Sequence, residues 1–151
     1  MAKEIERKFL VKDRSYREMA VRSHHIVQGY ISTRPEGTVR VRIKDEQAYL
    51  TVKGLTVGAT RDEWEYGITT ADARAMLERC TEGNVIDKTR YIVNHDGRTW
   101  EVDEFNGALS GLVVAEIELP SEDTAISLPA FVGNEVTDDP RYYNSALSQR
   151  S

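Results

Sequence analysis

Glu4-Ile5-Glu6-Arg7-Lys8-Phe9-Leu10-Val11 alternates: Glu4, Glu6 and Lys8 fall on one side of an extended chain, Ile5 and Phe9 on the other. Alone, this pattern describes a strand with a charged, solvated face. Thr38-Val39-Arg40-Val41-Arg42-Ile43-Lys44 repeats it with bases on one face and β-branched residues on the other. Arg61-Asp62-Glu63-Trp64-Glu65, Lys88-Thr89-Arg90, Glu101-Val102-Asp103 and Glu116-Ile117-Glu118 continue it, and Lys53 ends a further strand. One surface therefore collects the acids Glu4, Glu6, Glu63, Glu65, Glu101, Asp103, Glu116 and Glu118. Facing them are the bases Lys8, Arg40, Arg42, Lys44, Lys53, Arg61, Lys88 and Arg90.

Strands are expected over 4–11, 26–33, 38–44, 48–53, 60–67, 86–94, 99–105 and 112–119. Turn chemistry at Pro35-Glu36-Gly37, Asp45-Glu46, Gly54 to Gly58, Asp96-Gly97 and Asn106-Gly107 separates them, which predicts antiparallel pairing between sequence neighbours. One helix follows Ile68, with Thr70 as its N-cap and Ala73, Met76, Leu77 and Cys80 as a packed apolar stripe. Short helices are expected within 13–20 and, after Pro140, over 141–149. The fold class is α+β, mainly β. An open sheet with this much charge on one face would have too little helix to cover the other. A closed antiparallel eight-stranded β-barrel removes the long edges, turns the charged faces inward and leaves the apolar faces to flanking helices or a second subunit.

The 151 residues suit a single domain spanning 1–151. A net charge of −5 argues against a general nucleic-acid or anionic-membrane binder. One cysteine, Cys80, excludes an internal disulfide and a multi-cysteine metal site. No apolar run approaches the roughly 20 residues needed to span a bilayer, and the first residues lack a signal-peptide core, so a cytoplasmic address is expected.

A cavity dense in both signs is costly to dehydrate and poorly explained by stability. It suits a ligand that itself carries both signs, such as a polyphosphate chelated by a divalent cation. Carboxylates supply the hard oxygen ligands that Mg²⁺ or Mn²⁺ prefer, and Arg and Lys neutralise phosphate oxygens.

The E-x-E-x-K run of Glu4 to Lys8 resembles the signature of the CYTH superfamily, the triphosphate tunnel metalloenzymes. The resemblance extends through Gln28-Gly29-Tyr30-Ile31, Val39-Arg40-Val41-Arg42, Leu50-Thr51-Val52-Lys53-Gly54 and Lys88-Thr89-Arg90-Tyr91. It continues in Trp100 to Phe105, Ala115 to Leu119, Glu135-Val136-Thr137 and Arg141-Tyr142-Tyr143-Asn144. It implies a tunnel that binds a triphosphate and divalent metal. Carried over by position, Lys8, Arg40, Arg42, Lys53, Lys88 and Arg90 hold phosphates, and Glu4, Glu6, Asp103, Glu116 and Glu118 serve the metals. Glu63 and Glu65 look like further acidic positions. Arg61, Lys44 and Glu101 read as rim or supporting charges. The length and C-terminal segment look most like the small bacterial inorganic triphosphatases. The family resemblance also leaves open an adenylate cyclase or a thiamine, nucleoside or RNA triphosphatase, and a non-catalytic polyphosphate-binding module remains a further class.

Hydrolysis needs an in-line water and stabilised charge on the moving phosphoryl group. Lys8 and Lys88 are candidates to stabilise the attacked or bridging oxygens. A carboxylate, a lysine of lowered pKa or the Tyr30 phenol can take the proton, and the residues do not choose among them. Tyr30, Tyr49, Trp64 and Trp100 read first as packing aromatics. His24-His25 reads as a polar beginning to the second strand. Tyr142, Tyr143 and Asn144 are placed either at a helix start or at one closed tunnel end. A homodimer is plausible on the outward apolar residues Ile5, Phe9, Val39, Val41 and Ile43.

Overall fold

The computed structural model describes residues 2–149. Its strands are β1 (Ala2–Val11), β2 (Arg22–Ser32), β3 (Thr38–Lys44), β4 (Gln47–Lys53), β5 (Thr60–Ile68), β6 (Glu82–His95), β7 (Arg98–Phe105), β8 (Val113–Glu118) and β9 (Val132–Glu135). Three helices, α1 (Tyr16–Met19), α2 (Thr70–Arg79) and α3 (Asn144–Leu147), flank them, with short 3₁₀ turns at Gly107–Leu109 and Pro140–Tyr142.

The first eight strands close into an antiparallel barrel in the order β5-β4-β3-β2-β6-β7-β8-β1, with β1 returning to β5. Tight turns set the register of the hairpins. Lys44 pairs with Gln47 across Asp45-Glu46, and His95 with Arg98 across Asp96-Gly97. Asp45 and Asp96 take positive φ, which suits two-residue hairpins of this hand. Sequence neighbours do not always pair, however. β1 is joined to β2 through α1, and β5 to β6 through α2; β2 instead pairs with β6, and β1 with both β5 and β8. The connecting segments 12–21 and 69–81, which contain these helices, carry the chain between strands that are not neighbours, which a tight turn cannot do.

The closing strand divides its edges. Ala2 to Ile5 pair with Glu63 to Thr60 of β5, whereas Glu6 to Leu10 pair on the opposite edge with Glu118 to Val114 of β8. Beyond Ile5 the edge left by β5 is taken up by β9, which the alternation of apolar residues did not announce; Phe9 faces Glu135 and Val11 faces Val132. The Arg7 guanidinium clamps this junction by donating to both oxygens of Glu135, at 2.9 and 2.6 Å.

Among the described residues, most of the buried apolar side chains fall into three clusters. On the outside, Phe9, Val93, Trp100, Val102, Ala115 and Ile117 are covered by Tyr16 of α1 and by Phe131 and Val132 near the C-terminus. On the neighbouring outer face, Ala73, Met76 and Leu77 of α2 cover Val41, Ile43, Ala48 and Leu50. The helix lies so close to β2 that a Cβ on Gly29 would come within 2.7 Å of Thr81 Cγ2 and 3.1 Å of Leu77 Cδ2. The third cluster is inside. Ile86, Phe105 and Val114 share their strand faces with the charged residues that follow the same alternation, and Leu147 of α3 packs onto them. One end of the barrel interior therefore has an apolar floor.

Several expectations are corrected. The N-cap of α2 is Thr69, whose hydroxyl accepts from the Asp72 amide, rather than Thr70. Cys80 ends that helix exposed instead of packing, because the stripe that meets the barrel stops at Leu77. The C-terminal helix is broken into the 3₁₀ turn and α3, since Tyr143 adopts an extended conformation between them. Ile5, Phe9, Val41 and Ile43 are covered by this chain's own elements, so these faces do not require a second subunit. No helix among the described residues is long and apolar enough to cross a membrane.

Phe131, fully buried between Tyr16 and the barrel, tests the outer cover. Phe131→Ala is expected to lower unfolding stability by about 3–5 kcal/mol in urea titration, through loss of the ring and the void it leaves.

Candidate functional site

The interior holds a cavity of about 350 Å³, lined by Glu4, Glu6, Lys8, Tyr30, Arg40, Arg42, Lys44, Tyr49, Thr51, Lys53, Arg61, Glu63, Glu65, Arg90, Glu101, Glu116 and Glu118, with parts of the 56–59 loop and of the 137–145 segment. Its size is that of a small-ligand pocket. Every proposed site residue except Lys88 and Asp103 lies in this lining. The reason is the alternation itself: one face of each of the eight barrel strands is delivered to a common interior by barrel closure.

Lys88 and Asp103 share the interior faces of β6 and β7 but are fully buried beneath the open cavity, toward the apolar floor. The Lys88 amine lies 2.8 Å from Asp103, and Arg90 reaches the same carboxylate with two donors, Nε at 2.8 Å and Nη2 at 2.9 Å. Burial opposes ionisation of Asp103, but Arg90 and Lys88 outweigh it and hold the carboxyl far below its ordinary range. Lys88 is pushed down to about 7, first by burial and then by Arg90 and Arg42, against the pull of Asp103. This carboxylate thus fixes Arg90 with one edge of its guanidinium, while Nη1 lies 3.2 Å from Glu101 on the cavity side.

The acids of the lining divide into two groups. Glu65 sits with the bases: its Oε2 accepts from Thr51 Oγ1 at 2.7 Å, and Thr51 accepts from Arg40 Nη2 at 3.2 Å. Glu4, Glu6, Glu63, Glu116 and Glu118 crowd one another instead. Lys53 donates to both oxygens of Glu4, at 3.0 and 2.9 Å, and lies 3.4 Å from Glu63. Lys8 lies 3.5 Å from Glu116. Burial works against the Glu116 carboxylate, yet Lys8, Arg90 and Lys88 bring it down to about 2. Glu6 has no such excess of cations. Burial, Glu116 and Glu4 push it well above the ordinary carboxylate range. Glu118 and Glu63 are also raised, in each case by burial first and then by a neighbouring carboxyl.

This surplus of mutually repelling carboxylates fits a divalent cation by donor chemistry, with Glu4, Glu6, Glu63, Glu116 and Glu118 as the available oxygens. Among the described residues no three acids are already gathered at ligating geometry; Lys53 pairs with Glu4 and Glu63.

The C-terminal segment contributes residues that alternation could not supply. Lys8 Nζ donates to the Tyr142 carbonyl at 3.0 Å and lies 5.8 Å from the centre of the Tyr143 ring. Lys88 Nζ donates to Asn144 Oδ1 at 3.1 Å. This segment therefore closes part of the interior, the second of the two placements open from sequence. Thr51 and Gln28 were also missed, although each lies two positions from a recognised residue, Lys53 and Tyr30, and so on the same strand face. Trp100 is fully buried in the outer core, whereas Tyr30 and Tyr49 do reach the cavity. His24 and His25 pair with Asp45 and Asp87 outside the cavity.

A closed barrel whose interior presents bases and crowded acids on alternating strand positions is the architecture of a family. The chain belongs to the CYTH domain family, whose model matches residues 2–148. It is 48% identical over 147 residues to an inorganic triphosphatase of Acetivibrio thermocellus, covering 97% of this chain and 94% of that one. It is 37% identical over 150 residues to an inorganic triphosphatase of Nitrosomonas europaea, covering 96% of each. Among solved structures it resembles the crystal structure of an inorganic triphosphatase, with a TM-score of 0.72, 35% identity and coverage of 100% of this chain and 97% of that one.

Asp103→Asn leaves buried Lys88 without its paired carboxylate and Arg90 with Glu101 alone, and is expected to cost about 3–5 kcal/mol in urea unfolding. Acid tests Glu116. Its lowered pKa makes its contribution fully present above 4.5 and lost as pH falls toward 2. The stability difference between wild type and Glu116→Gln is therefore expected to shrink over that window, measured as urea midpoints at successive pH values.

Proposed function

We propose that this protein hydrolyses inorganic triphosphate to pyrophosphate and phosphate with the help of a divalent cation, Mg²⁺ or Mn²⁺. The observation that carries the reading is the split interior: bases on one part of the wall, surplus carboxylates on another, in a cavity of about 350 Å³. A pure anion receptor has no use for carboxylates that repel its ligand. The names of the two relatives favour inorganic triphosphate over a nucleotide.

In this reading Lys8, Arg40, Arg42, Lys53 and Arg90 neutralise the phosphate oxygens, and Lys88 adds its charge from beneath the cavity. Glu4, Glu6, Glu116 and Glu118, with Glu63, hold the cation. Bound there, the cation supplies charge neutralisation on the phosphates and a lowered pKa for a coordinated water. A water attacks the terminal phosphorus in line. A new P–O bond forms, the bond to the bridging oxygen breaks, and that oxygen leaves as part of pyrophosphate. The proton of the water passes to a carboxylate of the lining, to the Tyr30 phenol or to Lys88, whose burial brings it down to about 7. Lys8 stabilises the charge that develops on the attacked group. Asp103 orients Arg90 and Lys88, and Glu65 orients Arg40 through Thr51. Lys44, Arg61 and Glu101 shape the remaining wall.

Phosphate release from inorganic triphosphate and from ATP, each with Mg²⁺, Mn²⁺ or EDTA, tests this. Strong preference for inorganic triphosphate, abolished by EDTA, is expected, and Glu116→Gln is expected to lose at least about a hundredfold in kcat while remaining folded. Cyclic AMP and pyrophosphate from ATP would instead identify a cyclase. Wild-type turnover by Glu116→Gln at saturating metal would remove Glu116 from the cation site.

A further inference from the structure

Among the cavity bases assigned to phosphate, Arg42 has an unusual partner. Lys8, Lys53 and Arg90 each lie against a carboxylate, and Arg40 lies 3.5 Å from Glu65. Arg42 donates its Nε to the amide oxygen of Gln28 at 2.8 Å, and among the described residues it makes no ion pair. The two residues face each other directly across β2 and β3. Burial, then Arg40 and Arg90, bring Arg42 down to about 9, so it remains a cation at neutral pH.

Gln28 is fully buried, and its Nε2 has no hydrogen-bond partner. An orphaned buried amide donor lowers stability, and an apolar side chain of similar volume would avoid that penalty. The Gln28 amide is therefore poorly explained by packing. Its acceptor does what neither an apolar residue nor a carboxylate would do: it fixes one edge of the guanidinium without cancelling its charge. With Nε engaged, the terminal nitrogens are left for an anion in the cavity that Arg42 lines.

We propose that Gln28 is a positioning residue for triphosphate binding, acting through Arg42 by holding a charged guanidinium with a neutral acceptor. This rests on the reading of Arg42 as a phosphate-binding group, and the test separates the two. The full chain carrying Gln28→Met, Gln28→Glu, Arg42→Gln, or Gln28→Met with Arg42→Gln is assayed for kcat and KM with inorganic triphosphate and Mg²⁺. Thermal unfolding is recorded in parallel. Gln28→Met is expected to raise KM about tenfold, with a smaller change in kcat and a melting temperature near that of wild type. Gln28→Glu is expected to raise KM further, because its carboxylate competes with phosphate for the guanidinium, while the new ion pair preserves the fold. The double variant is expected to be no worse than Arg42→Gln alone, since Gln28 has nothing left to position.

An unchanged KM in Gln28→Met and Gln28→Glu, with a raised KM in Arg42→Gln, would overturn the positioning role and leave Arg42 as a phosphate group. Additive losses in the double variant would also overturn it, showing that Gln28 acts independently of Arg42. A wild-type KM in Arg42→Gln would instead remove the reading on which the inference rests. Should Gln28→Met fail to fold, Gln28→Glu carries the same comparison.

Discussion

The cost of holding many charges away from bulk water governs this molecule. A barrel that turns seven charged strand faces inward gathers cations and carboxylates at a density that only mutual compensation makes tolerable. The compensation is uneven. Asp103 is buried between Lys88 and Arg90, and Glu116 is held against Lys8, whereas Glu6 is left among other acids and Arg42 faces only a neutral amide. Where charges are matched the wall is already neutralised; where they are unmatched the interior retains an attraction for ions of the opposite sign. Binding capacity and stability are thus set by the same arrangement.

The scaffold supports that arrangement from both sides. Outer clusters beneath α1 and α2 fix the strands, and the inner cluster of Ile86, Phe105, Val114 and Leu147 gives the charged residues an apolar base of low polarisability. Lys88 is the residue most affected. It is fully buried near the Phe105 ring, with Asp103 and Asn144 as its polar contacts. Charges in such surroundings are screened less than those at the mouth, so small displacements there carry larger electrostatic consequences.

Much of this is legible in the sequence because a strand exposes its faces with a period of two. Within Thr38 to Lys44, spacing alone places Arg40 and Arg42 together on one face, and eight strand segments make closure the economical solution. The alternation says which residues share a face but not which strands become neighbours. The crossover connections through α1 and α2 therefore depart from simple hairpin order. Nor can alternation divide the acids into those that steady a base, such as Asp103 and Glu65, and those that crowd one another, because that depends on cross-strand register. β9 and the contacts of Tyr142 and Asn144 have no periodic signature at all. They exist through pairing with residues more than fifty positions away along the chain, which no local pattern encodes.

The divided edges of β1 also bear on how the chain comes to be assembled. The first strand made has no partner until β5 exists, pairs with β5 through only four residues, and finds most of its ladder in β8 and β9. Glu4, Glu6 and Lys8 thus leave the ribosome long before the residues that complete their surroundings. A chain growing from its N-terminus holds an incomplete, open sheet for most of its synthesis, and long-range pairings of this kind form late. The charged alternation of β1 has a second value in that interval: an unpaired strand carrying Glu4, Glu6, Arg7 and Lys8 is a poor template for edge-to-edge aggregation.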